Sequence, residues 1–365
     1  MRSMKLLDRV VSHIVSPPVF GLDISDFTVK FIKISRRGNA LGVDFFGEID
    51  LPAGLVVGGE IRKEDELVHI LKRDLISSNG QAVAGRFVSA TLPEEKGFVH
   101  VVELPKMSLE EAGKAARWEL EGVVPLPVEK LYFDYALLPS ADSIDHTDLL
   151  VTAFPKEIVD GYLRVLRNAG FIAVSLELES QAISRALWGG REGAFIFVDL
   201  GATRTSFITI AGGFLLSTRS TTAISGSHFN KAIAERLGVS TEEAKRIKVE
   251  AGFSMAYKDG ALYEALLPQI SALGDELKQE ILFFKEHPKH RHGMAIDISS
   301  VILSGGDANL TNLAAHLSIV LKKKVSVGNP FWRMIGQKCF YPPFPKNDSL
   351  KYTTAIGAAL RSINI

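Results

Sequence analysis

The apolar positions of this chain fall into two blocks with the same layout. The first follows Pro17-Pro18 and holds three strand-like runs at Val19–Leu22, Thr28–Ser35 and Val43–Ile49. These runs are apolar almost throughout, as in strands buried on both faces. Leu67, Ile70, Leu71 and Leu75 then recur at helical spacing and predict a helix over Lys63–Ser77, before a strand at Phe87–Thr91. The second block starts at Phe195, where "FIFVDLGATRTSFITIAGGFLLSTRS" again reads as three strands with tight turns. Helices are predicted at Ser227–Leu237, Thr241–Ala251 and Tyr263–Glu286. A strand at Val301–Leu303 runs into Gly305-Gly306, and further helices cover Leu310–Leu321 and Tyr352–Arg361. Each block opens with an apolar strand, an Asp, a small turn and a second apolar strand, so the chain reads as two related halves.

A different texture separates them. Ser108 with Glu111 forms the signature of a capping box and sets a helix start, and Pro125 and Pro127 end that helix. Trp118 on this helix is expected in a core. "HTDLLVTAF" reads as a strand, Val159–Asn168 as an amphipathic helix closed by Gly170, and "FIAVSLEL" as another strand. This stretch predicts a compact α/β unit set between the halves.

Charge and cysteine usage narrow the function classes. Lys plus Arg (42) equals Asp plus Glu (42), which argues against a nucleic-acid partner bound through a basic surface. The one cysteine, Cys339, excludes an internal disulfide and fits a reducing compartment. No uncharged apolar run approaches the roughly 20 residues of a membrane-spanning helix. Asp8, Arg9 and His13 break any signal-peptide core. Leu7, Val10, Val11 and Ile14 share one helical face, either docked on the protein itself or laid on a membrane surface. His287, His290 and His292 read as a solvated basic loop rather than a metal tract.

The candidate chemistry lies at the matched turns. Asp23 and Asp199 end equivalent strands, and two carboxylates facing one cleft suit a magnesium ion held largely through water. The turns offer backbone N–H groups to phosphate oxygens, with Gly201 permitting close approach and Thr203 and Thr205 adding hydroxyls. Gly305 and Gly306 let a flat ring or a phosphate approach the backbone, or serve as a tight strand-to-helix connection.

The order "GLDISDFTVK", "VDLGATRTSF", "VILSGGDANL", "YTTAIGAALRSI" resembles the actin-like ATPase superfamily. The middle block "LPKMSLEEAGKAARWELEGVVPLPVEKLYFDYALL" narrows the resemblance to the PilM family of type IV pilus assembly, as do "ISGSHFNKAIAERLGVSTEEAKRIKVEAG" and "LKQEILFF". The resemblance implies a two-lobed α/β fold with ribonuclease-H-like halves and an inserted 1C-type subdomain. It divides the chain into an N-terminal segment (1–18), subdomain 1A (19–92, completed by 179–193 and 340–365), the insert (93–178) and a second lobe (194–339). It implies ATP or ADP with magnesium as ligands. Asp23 and Asp199 would stand on the magnesium side. Ser25, Thr28 and Lys30 would lie at the first phosphate hairpin, Gly201 and Thr203 at the second, and Gly226, Lys245, Lys248, Gly305 and Gly306 around the adenosine. Ala355, Gly357 and Ala358 would let helices approach closely at the hinge.

Three positions depart from the family pattern. Ser25 replaces a glycine, and Phe27 puts a bulky ring by the phosphate path. Lys245 replaces a glutamate that would accept from a ribose hydroxyl, whereas an ammonium only donates. Nucleotide binding is therefore expected ahead of turnover. The implied role is a cytoplasmic scaffold of the type IV pilus, or of a related secretion platform, peripheral to the inner membrane. It would dock the tail of a PilN-like membrane protein and contact pilus motor or platform components, with self-association a further expectation. An FtsA-like filament former is the alternative. Such chains usually carry a C-terminal amphipathic helix on a linker, whereas this one stops at Ile365 after its last helix. A sugar-kinase-type phosphotransferase ranks last, because the insert occupies the place where a sugar pocket would be elaborated.

Overall fold

The computed structural model describes residues 19–37, 40–75, 80, 83, 85–138, 146–286, 297–332 and 346–363. The N-terminal segment, the histidine tract and Cys339 lie outside them. The chain opens with a meander of β1 (Val19–Ile24), β2 (Thr28–Arg37) and β3 (Ala40–Asp50). A short ribbon of β4 (Val56–Val57) and β5 (Glu60–Ile61) leads to α1 (Glu64–Asp74) and β6 (Phe87–Leu92). Next come β7 (Phe98–Pro105), α2 (Leu109–Val123), β8 (Leu131–Leu137) and β9 (His146–Pro155), then α3 (Lys156–Asn168), β10 (Ile172–Leu178) and α4 (Glu179–Leu187). The second half runs β11 (Ala194–Leu200), β12 (Thr205–Ala211), β13 (Phe214–Thr221), α5 (Gly226–Leu237), α6 (Thr241–Ala251) and α7 (Ala261–Glu286). It ends with β14 (Ile298–Ser304), α8 (Leu313–Leu321), β15 (Lys324–Val327) and α9 (Thr353–Arg361).

The duplication expected from the sequence is visible in the sheets. One has the order β10-β6-β1-β2-β3 and the other β15-β14-β11-β12-β13. In each, a central strand pairs antiparallel with the next strand and parallel with a later one. Both central strands are almost wholly buried, which explains their continuous apolar runs. Helices α1 and α3 cover one face of the first sheet around Phe20, Phe31, Leu71 and Tyr162. Helix α9 covers the other face, with Ile356 and Ala359 against Ile32. The second sheet builds its core from Phe197, Ile208, Phe229, Leu266 and Leu303.

Strands β7, β9 and β8 form a separate sheet that carries α2. The capping box forms as read: Glu111 N donates to Ser108 Oγ (3.3 Å), and Ser108 N donates to Glu111 Oε2 (2.9 Å). Ala112, Ala116 and Leu120 face this sheet, so Trp118 on the opposite side is 73% exposed and not in the core. Strand β10, expected within the insert, instead pairs in parallel with β6 of the first sheet. The helix expected from Leu310 starts at Leu313, because Gly306–Asn309 makes a 3-10 turn and Asn312 takes a left-handed conformation (φ 68°).

Two close approaches join α9 to the first lobe. A Cβ on Gly21 would lie 2.0 Å from Ala355 O, and one on Gly357 would lie 1.9 Å from Ala182 O. Glycine is what lets β1, α4 and α9 pack at backbone distance.

Candidate functional site

The two central hairpins have the same backbone. Ser25 N donates to Thr28 O (2.9 Å) around Asp26-Phe27, and Gly201 N donates to Arg204 O (2.9 Å) around Ala202-Thr203. Asp23 and Asp199 hold the same position two residues before these turns. In the first hairpin, Ser25 Oγ donates to Thr28 O (2.9 Å) and lies 3.0 Å from Thr28 Oγ1, and Lys30 Nζ also bonds Thr28 Oγ1. Asp26 fixes the tip by accepting from Gly59 N (2.9 Å), while Phe27 is 41% exposed.

The second hairpin points its resources elsewhere. Its carbonyls cap α5: Gly226 N donates to Gly201 O and Ser227 N to Ala202 O, each at 2.9 Å. The Arg204 side chain reaches the first lobe, where Nη2 donates to Glu179 Oε2 and Nη1 to Glu95 Oε1 (3.1 Å). Burial works against this charge, but Glu179 and Glu95 outweigh it and hold the guanidinium above its usual pKa.

Around this contact lies a cluster of buried carboxyls. Asp23 accepts from Thr91 Oγ1 (3.2 Å) and Asp199 from Ser304 Oγ (2.8 Å). Burial pushes Asp23 up to about 6, with Glu179 and Asp199 adding repulsion and Lys30 opposing it. Burial also raises Asp199, against the pull of the Ser304 hydroxyl, with Glu179 adding repulsion. Nearby, Glu94 caps α4 from a different segment by accepting from Ser180 N (2.8 Å). Burial drives it to about 7 against the Thr218 hydroxyl and the Ser180 amide, and its Oε1 makes no hydrogen bond of normal geometry.

The Gly-Gly turn follows β14 in the second lobe and packs against the end of β11. Gly305 (φ 88°) is forced, because a Cβ there would sit 2.4 Å from Leu200 O. Among the described residues, no heavy atom outside its chain neighbours lies within 4 Å of a Cβ built on Gly306, so this side of the turn is open. Lys248 is buried and ion-paired with Asp307, and its Nζ lies 3.5 Å from Gly226 O. A Cβ on Gly226 would collide with Asp307 Oδ2 at 2.0 Å. Lys245 lies on the exposed side of α6, and Thr203 sits half-buried at its hairpin tip. Glu179, Arg204, Glu94 and Asp307 were not singled out from the sequence, yet each is a buried or half-buried ionisable group of this region. Asp23 and Asp199 are hard oxygen donors held from ionising chiefly by burial, with Glu179 adding repulsion, and a bound cation would favour their charged form, so their chemistry fits magnesium.

A second concavity of about 200 Å³ opens between β8 and β10, each an edge strand of its sheet. It is lined by Tyr132, Phe133 and Phe154 of the insert and by Leu176, Gln181 and Arg361 of the first lobe. Glu177 is buried below it and held bidentate by Arg185 (2.7 and 2.6 Å), with Arg361 Nη1 at 2.6 Å.

Residues 21–363 match the family of type IV pilus assembly protein PilM. The chain belongs to the PilM family. Among solved structures, this PilM-family chain resembles a PilM-PilN type IV pilus biogenesis complex with 25% identity and a TM-score of 0.79, covering 96% of this chain and 100% of that one. It also resembles MreB5 of Spiroplasma citri bound to AMPPNP (13% identity, TM-score 0.56, 94% and 96% covered), a likeness of fold. The cell division protein FtsA of Bacillus subtilis (strain 168) is 23% identical, with 85% of this chain and 78% of that protein covered. The fold is the actin-like ATPase fold, in which the duplicated sheets form two lobes around the cleft. Among the described residues, no helix is long and apolar enough to cross a membrane.

Proposed function

We propose that this chain is a PilM-type scaffold that holds a nucleotide between its lobes and docks the cytoplasmic tail of a PilN-like inner-membrane protein. The observation that carries this reading is the groove between two sheet edges, unpaired among the described residues, in a chain that matches the PilM-PilN complex over nearly its whole length. Edge strands offer unpaired N–H and C=O groups to an extended segment, and alternate side chains of that segment drop into pockets. Tyr132 and Leu137 on β8, with Ile172 and Val174 on β10, leave apolar surface exposed along these edges. Arg361, bonded to Glu177 through Nη1, also lines the groove.

In the cleft, ATP or ADP takes its phosphates between the Asp23 and Asp199 hairpins and its adenosine against Gly305-Gly306. Lys248, Gly226 and the exposed Lys245 complete that side. Magnesium, held through water by Asp23 and Asp199, would neutralise phosphate charge there. The ligand acts as a structural element that sets lobe closure, and closure biases the peptide groove. Through this docking the protein would link the membrane assembly complex to pilus motor or platform components from the cytoplasmic side.

Fluorescence anisotropy with a labelled N-terminal peptide of a PilN-type protein tests the reading. We expect saturable binding that weakens at least tenfold in Tyr132→Ala, at an exposed groove residue, while the protein keeps its melting behaviour. Absence of peptide binding, with robust acceptor-dependent ATP turnover, would sink the scaffold in favour of a phosphotransferase.

A further inference from the structure

An arginine in a tight polar turn ordinarily points into water, and Arg204 does not. Its side chain is 12% exposed and leaves the second lobe altogether. One terminal nitrogen bonds Glu179 at the start of α4, and the other bonds Glu95 in the 3-10 turn after β6. Both acceptors sit on the first lobe, so the contact ties the two halves together across the cleft. The hairpin also fixes the base of this side chain, since Arg204 O accepts from Gly201 N. Asp23 and Asp199 lie within electrostatic reach of the same guanidinium.

A guanidinium is a planar fork of five donors that matches phosphate as well as carboxylate. Glu95 and Glu179 hold the two terminal nitrogens. An incoming phosphate between the two hairpins would meet this fork within electrostatic reach of Asp199. At the equivalent place the first hairpin carries Thr28, whose hydroxyl is engaged by Ser25 and Lys30 within its own lobe.

We infer that Arg204 is both the clasp between the lobes and a phosphate-recognising residue of this cleft, and that a nucleoside di- or triphosphate competes with Glu95 and Glu179 for its guanidinium. The inference rests on the nucleotide reading above and adds the group that links occupancy to lobe position. A guanidinium contact to phosphate needs no divalent ion, so part of the nucleotide affinity is independent of magnesium. Removing Arg204 frees the lobes and weakens metal-free binding. Removing a competing carboxylate strengthens it.

The test uses the full chain and ATP, titrated calorimetrically with and without magnesium, in wild type, Arg204→Gln and Glu95→Gln. Interlobe distance is read in parallel by pulsed electron paramagnetic resonance, with spin labels at Asp65→Cys and Lys231→Cys in a Cys339→Ser background. Arg204→Gln should lower metal-free ATP affinity at least tenfold and broaden the distance distribution without ligand. Glu95→Gln should raise metal-free affinity about threefold. Wild-type binding with affinity and distance unmoved in both variants overturns the role given to Arg204. No ATP binding by the wild-type protein overturns the nucleotide reading itself.

Discussion

The β1–β2 and β11–β12 hairpins share a backbone and differ in where their side chains go. Both close two-residue turns, and both place an aspartate at the same distance before the turn. The first satisfies itself: Ser25, Thr28 and Lys30 bond one another, and Asp26 ties the tip to Gly59 within the same lobe. The second has no hydroxyl at the place of Ser25, uses its carbonyls to cap α5, and sends Arg204 to the opposite lobe. Duplication therefore conserves the frame while the two turns take different tasks, one as a rigid floor and the other as a link.

The largest expected effect tests how the first hairpin is anchored. Gly21 in β1 occupies the place that Phe197 holds in β11, and the neighbour that makes the difference is α9. Gly21→Val forces a side chain into Ala355 O and Ala359 N, and should destabilise the protein by about 3 kcal/mol or more in urea unfolding. A variant with wild-type stability would mean that α9 does not pin this strand.

A smaller effect concerns the carboxyl beside the clasp. Glu94 shifts from about 4.5 to about 7 on folding, chiefly through burial, with Glu179 as the repelling neighbour. The folded state thus binds a proton that the unfolded state has released. This stabilisation is fully present below about pH 4.5 and is lost as pH rises through 7, by a few kcal/mol at most. Glu94→Gln keeps an oxygen for Ser180 N and offers an NH₂ towards Thr218. It should flatten the loss between pH 5 and 8 and gain about 1 kcal/mol at pH 8 in denaturant midpoints. An unchanged pH slope would show that Glu94 does not titrate in this window.

Much of this architecture was legible in the apolar runs. Strands buried on both faces, a capping box at Ser108 and glycines beside tight turns all act within a few residues, where pattern and structure are tied by local sterics. Contacts fixed at long range were hidden. Helix α4 has Leu178 at its N-cap position and takes a cap from Glu94, so no capping hydroxyl announced it. The place of β10 beside β6 depends on a parallel pairing across eighty-odd residues. Trp118 was misread by its size, although Ala112, Ala116 and Leu120 define the buried stripe and put it on the far side. Arg204 was invisible because a charged residue in a polar turn reads as solvated until the other lobe is in place. The matched aspartates were legible because the duplication repeats them, and the Gly-Gly turn because it directly follows a buried apolar strand.

Hydrogen–deuterium exchange with and without ATP and magnesium tests most directly whether the two hairpins act together on one ligand. We expect slowed exchange at residues 23–30, 199–206 and 304–308 at once, and loss of all three effects in Asp199→Ala. Unchanged exchange at both hairpins under saturating ATP, or protection confined to surfaces outside the cleft, would contradict the account.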